Sequence, residues 1–236
     1  MTEKNATDNA LSQQHRIKSY VIRAGRMTTA QSQALTNLAP KYVIDVSEQK
    51  LLDIDAIFGR KAPLVVEIGF GMGKSFIEMA KADPNRNYLG IEVHPPGVGA
   101  ALMLIESEGL SNVRIINYDA FVVLTQCLKE QSVDILQIFF PDPWPKARHH
   151  KRRLINDSFI DIIRPLLKHG GQVRMATDWQ EYAEEMLDCF SRAEGFTNTS
   201  PDNTYIPRPD WRPLTKFEQR GERLGHGVWD LVFTRD

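Results

Sequence analysis

At 236 residues, with a formal net charge of −1 and 42% hydrophobic residues, the chain can build one large domain with a sizeable core but not two full ones. The charge excludes a global field that attracts polyanions, so any basic binding surface must be local. Cys127 and Cys189 have neither zinc spacing nor a disulfide framework, no apolar run approaches the roughly 18 residues of a membrane span, and the polar N-terminus has no signal-type core. No metal and no membrane association are expected, and the predicted location is cytoplasmic.

In chain order, residues 1 to about 14 hold too little apolar surface to order themselves. Next, Arg16, Lys18, Arg23 and Arg26 are interleaved with Ile17, Tyr20, Val21 and Ile22, which reads as a basic arm, although a solvated surface segment has the same composition. The expected organisation is a tail and arm over 1–40 followed by one domain over 41–236. Strands are predicted at 64–68, 87–92, 113–117, 133–140, 171–177 and 228–234. Helices are predicted near 74–82, 97–109, 119–130, 154–168 and 179–193. The alternation, with apolar runs such as Val133 to Phe140, predicts an α/β fold with a doubly wound, mostly parallel sheet, whose ligands bind at the carboxyl ends of the strands.

The first strand runs into Glu67-Ile68-Gly69-Phe70-Gly71-Met72-Gly73-Lys74-Ser75. A dinucleotide fingerprint would need its third glycine at 74, and a P-loop would need its first glycine at 68, so both registers fail by one residue. What remains, acid-x-Gly-x-Gly-x-Gly after a strand, resembles the first motif of class I S-adenosylmethionine-dependent methyltransferases, a Rossmann-like class. Glu92 closes the second predicted strand 19 positions after Gly73, near the ~20-residue spacing at which an acid meets a ribose hydroxyl. Asp119 follows the third strand, where the resemblance to this class implies an adenine contact and where the residue also suits a helix N-cap.

The fourth strand ends in Pro141-Asp142-Pro143-Trp144-Pro145-Lys146. Three prolines fix φ and remove donors, so the segment is stiff and aims Asp142 and Trp144 at the cofactor end of the sheet. Lys146, Arg148, His149, His150, Lys151, Arg152 and Arg153 then concentrate positive charge that suits phosphates, although such runs are commonly solvated faces. An acid again ends the fifth strand in Thr177-Asp178-Trp179, and Thr215-Lys216-Phe217-Glu218 reads as a capping box.

Taken together, these segments resemble the bacterial tRNA (guanine-N7-)-methyltransferase family over roughly residues 16–236. The narrowest signals are Phe140 to Lys146 and Thr215 to Glu218. The resemblance implies methyl transfer from S-adenosylmethionine to N7 of a guanosine in the variable loop of tRNA. It implies that Glu67, Gly69, Gly71, Gly73, Glu92, Asp119 and Asp142 surround the cofactor, with Asp142 the main catalytic candidate. Lys146, Asp178, Thr215, Lys216, Phe217 and Glu218 would meet the guanine, and Arg148, His149, His150, Lys151, Arg152 and Arg153 would meet the RNA. Trp144 and Phe217 are expected as stacking partners, with core burial as the alternative. A monomer or homodimer is expected, with tRNA as the partner. The competing readings are a methyltransferase of this fold acting on another substrate, a P-loop-like NTPase favoured by Gly73-Lys74-Ser75, and a non-catalytic RNA-binding module.

Overall fold

The computed structural model describes residues 18–21, 25–215, 218 and 227–236; Arg16, Arg23, Lys216 and Phe217 lie outside them. In chain order the elements are α1 (Thr29–Tyr42), α2 (Ile54–Phe58), β1 (Leu64–Ile68), α3 (Lys74–Ala82), β2 (Asn87–Ile91), α4 (Pro95–Ser107), β3 (Val113–Ile116), α5 (Ala120–Val122), β4 (Val133–Phe139), α6 (Asp157–Leu166), β5 (Leu167–Thr177), α7 (Gln180–Arg192), β6 (Phe196–Asn198) and β7 (Trp229–Arg235). Their order in the sheet is β3-β2-β1-β4-β5-β7-β6. β1 pairs in parallel with β2 and β4, and β7 runs antiparallel to β5 and β6. The order reverses between β1 and β4, and the crevice at such a reversal is where open α/β sheets bind ligands.

Alternation along each strand sends side chains to two cores. On one face Val65, Tyr88, Ile115 and Ile135 pack under α1, α3 and α4 through Ala34, Phe76, Ile77, Val98, Ala101 and Leu102. On the other, Val66, Ile68, Leu89, Leu136, Val173 and Phe233 meet Phe159, Ile160 and Ile163 of α6 and Tyr182, Met186 and Phe190 of α7. Each fully buried aliphatic or aromatic side chain stabilises the fold by ~1.5–3 kcal/mol. No helix among the described residues is long and apolar enough to cross a membrane.

Three features depart from the expected elements. Helix α1, begun by a Thr28/Gln31 capping box, lies where only the arm was anticipated and packs on α4. Strand β5 starts at Leu167, so it takes in the end of the helix expected over 154–168 and runs through Gly170 into the strand expected over 171–177. The helix expected over 119–130 is one turn, α5, followed by a π-helical stretch, Val123–Cys127. The β-branched Val122, Val123 and Thr125 favour α-helix weakly, and Thr125 Oγ1 donates to the Phe121 carbonyl at 2.8 Å, the back-bonding that distorts helices.

Candidate active site

The glycine loop links β1 to α3 and is shaped by close packing. Gly73 has φ +80°, and a Cβ there would stand 2.7 Å from Ala101 Cβ on α4. Only glycine tolerates both conditions. By contrast, a Cβ added at Gly69 or Gly71 would meet nothing within 4 Å, so the loop leaves open space above β1 for a ligand.

Glu92, at the end of β2, holds this loop. Its Oε2 accepts from the Gly71 amide at 2.8 Å, and its Oε1 accepts from Val93 N at 2.8 Å and His94 N at 2.9 Å. Three amides thus stabilise its charge in a buried position. Asp119 caps α5, with Oδ1 accepting from Phe121 N at 2.8 Å and Oδ2 accepting from Tyr20 Oη at 3.1 Å. The N-cap role and an inward-facing carboxylate therefore coexist.

These groups border a cavity of about 280 Å³ at the carboxyl ends of β1, β2, β3 and β4, lined by Gly69, Glu92, Asp119, Asp142 and the arm residues Ser19, Tyr20 and Val21. Ile68, Ile91, Phe139 and Phe140 supply apolar walls. The mixture suits a ligand with a flat apolar part and a polar rim. Glu67, expected among the cofactor residues, is not in the wall. It is 3% exposed on the opposite face of β1, and its Oε2 is buried without a partner. Burial, then the charge of Glu92, pushes its pKa up to about 8, so near neutrality it is largely a protonated carboxyl.

A second cavity, about 590 Å³, opens beside the first and is lined by Val21, His94, Asp142, Pro143, Trp144, Pro145, Lys146 and His149. Val21 and Asp142 line both. The segment carrying Asp142 is strained: Phe140 and Trp144, neither a glycine, have φ of +52° and +46°. Each such residue costs on the order of 1–3 kcal/mol and persists only where its surroundings over-determine it. Lys146 is exposed on the cavity rim.

The expected stacking role of Trp144 meets a prior occupant. Its ring carries the Arg152 guanidinium 4.4 Å from the centroid and the His149 ring edge-on at 6.0 Å, while its Nε1 donates to the Ser19 carbonyl at 3.1 Å. Trp144 thereby ties the arm to the loop. His149 is lowered below the usual imidazole range by burial and by the surrounding Arg148, Arg152, Lys146 and Lys151.

The basic run forms a 3₁₀ helix, Ala147–Arg152, and its members diverge. Arg148 and Lys151 are exposed, while His149, His150 and Arg152 are half-buried. Arg153 is 2% exposed, which corrects the expectation that it faces phosphates: its guanidinium is consumed by protein groups.

On the far side of the sheet end, Asp178 is half-exposed after β5. Thr215 and Glu218 form the expected capping box, with Glu218 N donating to Thr215 Oγ1 at 3.1 Å and Thr215 N donating to Glu218 Oε2 at 2.9 Å. The other Glu218 oxygen accepts from Arg212 Nη1 at 2.6 Å, and Arg212 also grips both oxygens of Asp230 at 2.6 and 2.7 Å. Arg212, Glu218 and Asp230 are at most 2% exposed, so Glu218 anchors its segment and does not present a carboxylate outward. The sequence reading missed Tyr20, Val21 and Phe140 as wall residues, and His94 too. For His94 a signal existed, since it lies two residues after Glu92, just beyond the strand end.

Residues 61–231 match a family model described as "Putative methyltransferase". A tRNA (guanine-N(7)-)-methyltransferase of Aeromonas hydrophila is 55% identical over 220 residues, 93% of this chain and 92% of the relative. One of Pseudomonas putida is 52% identical over 229 residues, covering 97% and 95%. Among solved structures, an rRNA methylase from Streptococcus thermophilus aligns with a TM-score of 0.51 at 13% identity, covering 74% of this chain and 87% of that one. The aminoglycoside resistance methyltransferase NpmB1 aligns at 0.50 and 15%, covering 79% and 95%. At such identities the structures show the shared fold alone.

Proposed function

Because the chain belongs to the tRNA (guanine-N7-)-methyltransferase family, we propose that it transfers a methyl group from S-adenosylmethionine to N7 of a guanosine in the variable loop of tRNA, in the cytoplasm. The observation that carries this reading is Asp142, a carboxylate bordering two adjoining cavities. A transfer between two bound molecules needs such a boundary.

The first cavity fits the cofactor. Carboxylates at Glu92 and Asp119 suit hydroxyl and amino groups of an adenosine, the apolar walls suit its ring, and the space over Gly69 and Gly71 admits its tail. When bound, S-adenosylmethionine supplies an electrophilic methyl on a sulfonium. The second cavity then takes the guanine, with Lys146 on its rim able to donate to the base O6. Guanine N7 bears a lone pair and no proton, so no base is needed to expose it and alignment dominates the rate. The methyl–sulfur bond would break as N7 bonds the methyl, leaving a neutral thioether and passing the positive charge to the purine, where the Asp142 carboxylate would stabilise it. Arg148, exposed on the same 3₁₀ helix, and Lys151 and Arg152, beside a third hollow of about 750 Å³, are the phosphate contacts in this reading. The NTPase reading loses its support because the loop is one residue short of a P-loop.

The test is radiolabelled methyl transfer to unmodified tRNA, followed by nuclease mapping of the modified base. Asp142→Asn is expected to bind cofactor and tRNA normally and to lose on the order of 10²-fold or more in single-turnover rate, as for removal of one preorganised electrostatic group. A parent-like rate would leave Asp142 a structural turn residue.

A further inference from the structure

We propose that Arg153 is the positioning residue that holds the Asp142 loop in register with Asp178, and not a contact to RNA. The proposal goes beyond the catalytic reading above, and its kinetic arm rests on that reading.

Two loops carry the carboxylates on the acceptor side: the one after β4, with Asp142, and the one after β5, with Asp178. Arg153 spans them. Its Nε donates to the Pro143 carbonyl at 2.9 Å, one residue from Asp142. Its Nη1 is paired with Glu185, and its Nη2 lies 3.3 Å from Glu181 and 3.2 Å from His150 Nε2. The guanidinium carbon sits 4.9 Å from the centroid of the Tyr182 ring. Tyr182 is itself fixed, fully buried and accepting from Ile155 N at 3.0 Å.

Glu181, Tyr182 and Glu185 all belong to α7, which begins two residues after Asp178. A single planar fork thus joins the carbonyl beside one carboxylate to the helix that follows the other. The geometry explains why arginine is needed here: lysine offers one nitrogen and cannot meet a carbonyl and two carboxylates in fixed directions. It also explains how the loop keeps its strained conformation. Pro141, Pro143 and Pro145 have no N–H to anchor it, so an external donor to the Pro143 carbonyl over-determines the left-handed Trp144 that follows. At 2% exposure the guanidinium has no surface to offer a phosphate.

The experiment uses the full chain as Arg153→Lys and Arg153→Gln, with Arg152→Ala as the phosphate-contact control. With saturating tRNA and cofactor, the single-turnover rate is expected to fall about 10- to 100-fold in both Arg153 variants, the scale of a misplacement near 1 Å. The slope of log K for tRNA against log salt is expected to stay at the parent value in Arg153→Gln, while Arg152→Ala lowers it by about 0.7–0.9. A third readout needs no methyl transfer: in protein carrying 5-fluorotryptophan, the Trp144 resonance shifts or broadens in Arg153→Lys, and those of Trp211 and Trp229 do not. Should Arg153→Gln fail to fold, Arg153→Lys and Glu185→Gln give the same readouts. A parent rate with a parent Trp144 resonance overturns the proposal, as does a slope lowered by one phosphate with the rate unchanged. If the parent methylates no tRNA, the catalytic reading fails, while the Trp144 resonance still decides whether Arg153 holds the loop.

Discussion

Replacing Glu67 by Gln should stabilise this protein, in a way that depends on pH with a definite sign. In the unfolded chain the carboxyl titrates near 4.5, and in the folded protein its pKa is pushed up to about 8. Below pH 4.5 both states hold the proton, so Glu67 costs nothing. Between 4.5 and 8 only the folded state holds it, and stability falls as pH rises by about 1.4 kcal/mol per unit. At pH 7 the accumulated loss is roughly 3 kcal/mol, an upper figure because surroundings relax around a buried charge. Gln carries no such titration. Its amide also has a ready acceptor: Gln137 is the register partner of Glu67 on β4, and Gln137 Oε1 is buried without a partner. For a domain of this size about 1 kcal/mol moves Tm by 2–4 °C, so Glu67→Gln should gain roughly 4–12 °C at pH 7 and almost nothing at pH 4.5. Differential scanning calorimetry across that range measures it, with calorimetric titration of S-adenosylmethionine expected to show little change in affinity. A gain independent of pH, a loss of stability, or a large loss of cofactor binding would refute the reasoning and return Glu67 to the ligand site.

Arg212→Met removes the guanidinium that bridges two buried carboxylates and should cost about 3–5 kcal/mol, the scale of breaking a buried ion pair, with a smaller loss at pH 5 than at pH 8 because burial already raises the Asp230 carboxyl, whose orphaned charge a proton can relieve; equal melting temperatures to the parent would show that the trio is not needed. Glu92→Ala should weaken S-adenosylmethionine by ~1.5–3 kcal/mol in titration calorimetry, and because Glu92 also holds the Gly71 amide it should raise amide exchange at Gly71. Unchanged exchange and affinity would remove Glu92 from the site.

The sheet was legible because its strands are apolar, β-branched and regularly spaced. The predicted strand 64–68 and helix 74–82 match β1 and α3 residue for residue. Strand β6, Phe196–Asn198, is too short to show a period, and it exists because β7 offers it an edge. Helix α1 is weakly amphipathic and contains Pro40, so its helicity depends on packing against α4, a tertiary fact. At the site, residue type and strand-end position pointed to Glu92, Asp119 and Asp142, all of which line the first cavity, whereas Asp178 follows β5 in the same way and lines neither cavity. Position alone did not separate Glu67 from them, although strand alternation between Val66 and Ile68 already assigns it to a single face and only the sheet reveals which. In the basic run, Arg152 and Arg153 are indistinguishable as letters. One stacks on Trp144 and the other is buried against Tyr182, because a 3₁₀ turn sends consecutive side chains in different directions.

The distribution of charge around the cavity carries a mechanistic consequence. Four carboxylates near one crevice would repel one another strongly in a medium of low polarity, and the fold deals with each differently. Glu67 holds a proton. Glu92 is matched by three backbone amides. Asp119 is matched by a helix N-terminus and the Tyr20 hydroxyl. Asp142, exposed and on a proline-stiffened loop, borders both cavities. In the proposed reaction Glu92 and Asp119 would meet neutral hydrogen-bonding groups, and Asp142 would face the positive charge as it passes from the sulfonium to the purine. Among the cations, Lys146 is on the rim of the second cavity, Lys151 and Arg152 border the third hollow, and Arg148 is exposed beside them, where they can meet phosphates outside the site. Anionic interior and cationic rim together favour a substrate that presents a backbone of phosphates outside and a base that turns cationic inside, which is the charge pattern of a tRNA guanosine alkylated at N7.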